Sequence, residues 1–158
     1  MAGYIQQKDN ENILDLFFQL CPCEPNVPEG GTSDCYILTP FLLIDGVRFN
    51  KVFTLDLQKL IRSVSGNGHF DILTCTCGEA GCEYLDDAIV VRHTPGHVYW
   101  RVRRPLQLED YDIRIDFSNY VFQAEQYREA LATGLAQARR MLAHYDQEAS
   151  ICFRKASW

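Results

Sequence analysis

Apolar and polar residues alternate along much of the chain, and the period of the alternation changes at identifiable points. Leu14, Leu16, Phe18 and Leu20 fall at every second position, as in a strand, while Ile13, Leu16, Phe17 and Leu20 also fit helical spacing; the strand is the preferred reading. Residues 21–31 carry prolines and glycines that block both helix and ladder, which makes them a loop inserted between two paired strands. Tyr36 to Ile44 reads as the next strand, with Pro40 at an edge or a bulge. Asp45-Gly46 supplies the positive φ of a tight hairpin, and Val47-Arg48-Phe49 begins the return. Phe70 to Cys75 is a further strand. Two apolar runs, Ala88–His93 and Val98–Arg103, flank Thr94-Pro95-Gly96-His97, and a four-residue loop there pairs His93 with Val98. This register places Ile89, Val91, Val98, Trp100 and Val102 on one face and Arg92, Tyr99, Arg101 and Arg103 on the other. Tyr111, Ile113, Ile115 and Phe117 alternate with Asp112, Arg114 and Asp116, a strand whose aspartates could sit across from Arg101 and Arg103.

The period turns helical twice. Leu57, Leu60, Ile61 and Val64 recur at i, i+3, i+4 and i+7 with Thr54 as N-cap and Gly66 past the end, which predicts a short helix over about 55–65. Tyr127, Leu131, Leu135, Ala138 and Leu142 form the stripe of a long helix over about 124–145, about 33 Å in length. Gly134 lies within this helix, where it allows close approach to a sheet. The fold class that follows is α+β: a mainly antiparallel sheet of about five to seven strands with both helices packed on one face.

At 158 residues the chain has the size of a single domain spanning 1–158, and 47% hydrophobic with 23% charged residues is globular composition. The net charge of −6 argues against nucleic acid as a partner and for a basic protein. The first residues lack the apolar stretch of a secretory signal, and no run approaches the length of a membrane span; the longest, Phe41-Leu42-Leu43-Ile44, suits a buried strand. A cytoplasmic location is expected, where thiols are kept reduced. The seven cysteines therefore read as thiols or metal ligands before disulfides.

Three of these cysteines crowd into Cys75-Thr76-Cys77-Gly78-Glu79-Ala80-Gly81-Cys82, where two glycines permit a tight turn. Zinc needs four ligands, so Cys75, Cys77 and Cys82 would take a fourth from Cys21, Cys23, Cys35, His69, His93 or His97. Alternatively a histidine could activate one thiol, or all three could be small residues packed in a tight connection. The order Phe70-Asp71-Ile72-Leu73-Thr74-Cys75-x-Cys77-Gly78-x-x-Gly81-Cys82, then Val98-x-Trp100 in a hairpin, resembles a group of small, uncharacterised bacterial proteins with a Cys-x-Cys-Gly-x-x-Gly-Cys turn. Glu125-Gln126-Tyr127, within residues 122–131, is similar to the start of their last helix. The resemblance spans the C-terminal two-thirds of the chain and implies no activity and no catalytic residues.

Phosphate-loop, nucleophile-elbow and zinc-helix motifs are absent from the sequence. Gly66-Asn67-Gly68 follows a helix rather than a strand and is a turn, and the adjacent Asp86 and Asp87 would point to opposite faces of a strand. Two functions are carried forward. One is a non-catalytic protein-interaction module of the immunity or inhibitor type, acting on a basic protein without a catalytic residue or cofactor. The other is a zinc-binding or thiol-redox protein built on Cys75, Cys77 and Cys82. An anion site on the arginine stripe is a further option.

Overall fold

The computed structural model describes residues 11–22, 36–51, 53–75, 88–103, 106–107, 114–115 and 118–147. In chain order the elements are β1 (Leu14–Pro22), β2 (Tyr36–Ile44), β3 (Val47–Arg48), β4 (Thr54–Leu55), α1 (Leu57–Arg62), β5 (Gly68–Phe70), β6 (Leu73–Thr74), β7 (Ile89–Thr94), β8 (His97–Val102), β9 (Leu106–Gln107), β10 (Arg114–Ile115), β11 (Ser118–Gln123) and α2 (Ala124–Gln147). Every ladder is antiparallel, and the fold is α+β as the patterning predicts. The strands divide into a three-stranded sheet β1-β2-β3, a four-stranded sheet β11-β8-β7-β5, and the short ladders β4-β6 and β10-β9.

The first sheet forms because β1 and β2 offer a complete apolar inner face: Leu14, Leu16, Phe18, Leu38, Leu42 and Ile44 are all buried. Asp45 and Gly46, at φ 54° and 75°, make the turn that returns the chain into β3. Pro40 is tolerated because β3 ends before reaching it. Beyond that point buried Asn50 takes the place of a strand, accepting from Leu42 N at 3.1 Å and donating to Pro40 O at 3.3 Å. In the second sheet His93 pairs with Val98 in the expected register, although the connection tightens to Pro95-Gly96, with Gly96 at φ 93°.

The inner faces of both sheets share one core. Trp100, Phe122 and Tyr127 pack as tilted and T-shaped rings with centroids 5.5 to 5.9 Å apart, and Phe49 reaches from the first sheet to within 5.8 Å of Trp100. Within this cluster the polar groups form one chain: Trp100 Nε1 donates to Tyr127 Oη at 3.1 Å, the Tyr127 hydroxyl pairs with Ser63 Oγ at 2.6 Å, and Ser63 Oγ donates to Leu60 O. Each buried donor is thereby satisfied. Burial pushes the Tyr127 phenol well above its ordinary value, and its hydrogen bonds with Ser63 and Trp100 offset only part of that.

Helix α2 lies along the open edge of β1. Gln126 accepts from Leu14 N and donates to Leu14 O, at 3.3 and 2.6 Å, and Gln137 repeats the pattern on Phe18 at 3.0 and 3.4 Å. Two side-chain amides thus stand in for a further strand and close the edge. Between them Gly134 meets Leu16 so closely that a Cβ there would fall 2.5 Å from Leu16 O.

Several expectations are corrected. The N-cap of α1 is Asp56, whose carboxylate accepts from Lys59 N at 3.0 Å, because Thr54 is already paired with Thr74 in the β4-β6 ladder. The helix has six residues and buries Leu57 and Leu60 while Ile61 stays 42% exposed. The strand predicted over Phe70 to Cys75 is two strands in different sheets, since Ile72 O turns aside to accept from Asp56 N. The neighbour of β8 is β11, which the alternation did not single out, and not the segment around Arg114. Arg114 and Ile115 pair instead with Gln107 and Leu106, while Asp112 and Asp116 lie outside the described residues.

Candidate functional site

Cys75 closes β6 and is buried, and it is disulfide-bonded to a partner outside the described residues. The expectation of reduced thiols is corrected at this position: an odd cysteine count leaves one thiol over but forbids no single pair. A sulfur in that state is no thiolate ligand, so a zinc site using Cys75 requires the reduced form. Cys77, Cys82, Cys23 and Cys35 lie outside the described residues, and Cys21 is a half-buried free thiol at the end of β1. Among the described residues no group of three or more His, Cys, Asp or Glu side chains could hold a metal ion.

The histidines offered as a fourth ligand point in different directions. His69 is exposed on the outer face of β5, near Arg103. His93 faces the other way, and its Nε2 lies 2.7 Å from Ser63 O; a carbonyl only accepts, so this nitrogen carries the proton. Asn67, in the turn before β5, accepts from His93 N at 2.6 Å. His97 Nε2 lies 2.7 Å from Glu11 Oε1, and Gln123 donates to the other carboxylate oxygen at 2.6 Å. The hydrogen bond with His97, followed by that from Gln123, holds the Glu11 carboxyl below its ordinary value. These residues, with Arg128 and Glu125 of α2, line an open cleft of about 510 Å³.

The outer faces of the two sheets differ in chemistry. On the first sheet Phe17 of β1 stacks on Phe41 directly across on β2, centroids 5.1 Å apart and planes within 7°, and the Arg48 guanidinium lies 4.3 Å from the Phe41 centroid. Leu43 extends this row on β2, Ile37 lies beyond the polar Gln19–Thr39 pair, and Ile13, 56% exposed, precedes β1. An antiparallel sheet facing water ordinarily carries polar residues at such positions. By sequence the run Phe41-Leu42-Leu43-Ile44 suits a buried strand. Leu42 and Ile44 enter the core, whereas Phe41 and Leu43 face outward and are only half-buried. The lack of any polar alternation in that run is the signal that could have found the face.

On the four-stranded sheet the outer face carries exposed Arg92, Arg101 and Arg103, half-buried Tyr99 and exposed His69. The faces predicted for the β7-β8 hairpin are therefore the faces observed. Arg101 lies between Val90 and Asn119 on the neighbouring strands, and Arg92 lies across from Tyr99. No carboxylate pairs with Arg92 or Arg101 among the described residues. No helix among the described residues is long and apolar enough to cross a membrane. No family model, no curated protein and no solved structure matches the chain.

Proposed function

We propose that the protein is a non-catalytic interaction module of the immunity or inhibitor type, which docks a partner protein through the outer face of β1 and β2. The observation that carries this reading is the Phe17–Phe41 stack beneath Arg48, with Leu43 beside it on β2 and Ile13 at the start of β1. Aromatic residues and arginine are the side chains most enriched at the centres of protein interfaces, and contiguous exposed apolar surface marks such sites. The face is backed by the fully buried Leu14, Leu42 and Phe18, so its aromatic pair is held in place before a partner arrives. Asp15 stands on the same cross-strand row as Leu43 and Arg48, which gives the rim both signs of charge. The net charge of −6 would steer a basic protein toward the module over longer range.

The test is recovery of a stoichiometric partner from a native extract by the wild-type chain and by Phe41→Ser and Arg48→Gln variants in parallel. Wild type retains the partner, Phe41→Ser loses it, and Arg48→Gln weakens it. Equal recovery by all three, with circular dichroism showing each folded, would overturn the assignment.

A further inference from the structure

We infer that the outer face of the four-stranded sheet is a second docking surface, one that takes an acidic polypeptide segment in extended conformation. It lies on a different sheet from the aromatic face and does not depend on it. Three arginines, Arg92 on β7, Arg101 on β8 and Arg103 just past the end of β8, lie on this face; the ladder neighbours of the first two are neutral, Tyr99 opposite Arg92 and Val90 and Asn119 on either side of Arg101, and the Arg103 guanidinium lies 3.4 Å from His69 Nδ1. Unscreened by a carboxylate in those positions, like charges on one face repel each other, and an anionic partner relieves that repulsion. Glu11, the carboxylate at the far corner of the sheet, is already engaged by His97 and Gln123.

The spacing selects the form of the ligand. Tyr99, Arg101 and Arg103 stand at alternate positions of one chain, so their side chains leave the sheet at intervals of about 7 Å. Alternate side chains of an extended peptide repeat at the same interval, so acidic residues at every second position meet Arg101 and Arg103 in register, each as a planar guanidinium–carboxylate pair. Beneath this row the opposite faces of the same strands are locked by Val91, Val98, Trp100 and Val102, all buried. The arginine stems thus rise from a backbone that does not need to reorganise. A nucleic acid strand is the less favoured anion, because single strands are held largely by successive aromatic platforms and among the described residues this face offers Tyr99 with the His97 ring beside it, on a chain of net charge −6.

The experiment is fluorescence anisotropy of the full-length protein with a labelled short peptide alternating Asp and Thr, with its Asn-for-Asp counterpart, and with a labelled oligothymidylate of equal charge. The acidic peptide binds at low salt and is released as salt rises, and the Asn peptide does not bind. Arg101→Gln weakens binding roughly threefold and Arg101→Gln/Arg103→Gln roughly tenfold, the scale of exposed ion pairs. Arg139→Gln on the exposed side of α2 leaves binding unchanged, and so does Phe41→Ser, which separates this surface from the aromatic one. Equal binding of the acidic and neutral peptides, an unaltered affinity in Arg101→Gln/Arg103→Gln, or tighter binding of the oligothymidylate would each overturn the inference.

Discussion

Tyr127 ties the interior together as the middle link of the chain from Trp100 to Leu60 through Ser63. Replacing it with Phe keeps the ring packing but leaves the Trp100 N–H without its acceptor and Ser63 without its partner. The expected cost is about 1–3 kcal/mol, read from urea denaturation. The same phenol contributes a pH-dependent part of the stability at alkaline pH. Its folded pKa is raised by burial, so the folded protein keeps a proton that the unfolded chain gives up near its ordinary value of 10.0. Its contribution is complete below that pH and is lost as pH rises above it; Tyr127→Phe should flatten this loss, and an unchanged alkaline slope would refute the assignment. Gly134 works by absence of atoms rather than by polarity. Ala at an ordinary helix position gains about 1 kcal/mol over Gly. Here the added methyl meets the Leu16 backbone, and the expected net result is destabilisation by about 1–3 kcal/mol. A rise in urea midpoint for Gly134→Ala would show that α2 does not lie this close to β1.

Elements were legible in the sequence wherever periodicity was strong and local. β2, the Asp45-Gly46 turn, the β7-β8 register and α2 follow from alternation, positive-φ residues and a helical stripe, all of which are properties of neighbouring residues. The close approach at Gly134 was legible for the same reason: a glycine inside a helix needs a packing partner. What stayed hidden was set by distant residues. Thr54 is a good capping residue by type, yet the ladder with Thr74 occupies it and Asp56 takes the cap. Nothing near β8 in the sequence marks β11 as its neighbour, and so the alternating run around Arg114 is the strand that the local pattern offers to Arg101 and Arg103. Nothing in the helical stripe of α2 singles out Gln126 and Gln137, whose side chains pair with the edge of β1. Gln126→Ala/Gln137→Ala should therefore expose that edge: light scattering on mild warming should show self-association sooner than in wild type, while the far-ultraviolet circular dichroism at low temperature stays unchanged. Identical scattering curves would mean that the helix backbone alone protects the strand.

Across the whole molecule, a basic sheet face coexists with a net charge of −6. With Cys75 in a disulfide, thiol titration of the unfolded chain without reductant should find at least two fewer than the seven cysteines, and reductant should restore all seven. A full count without reductant, with zinc leaving as thiols appear, would instead place a metal at the cysteine turn. The aromatic face of β1 and β2 is the centre of the functional account, and one comparison tests it most directly: stoichiometric capture from native extract by the wild-type chain against Phe41→Ser at matched folding. The account predicts a partner that withstands added salt, as apolar contacts do, and that disappears with Phe41. A partner held equally by both chains would contradict it.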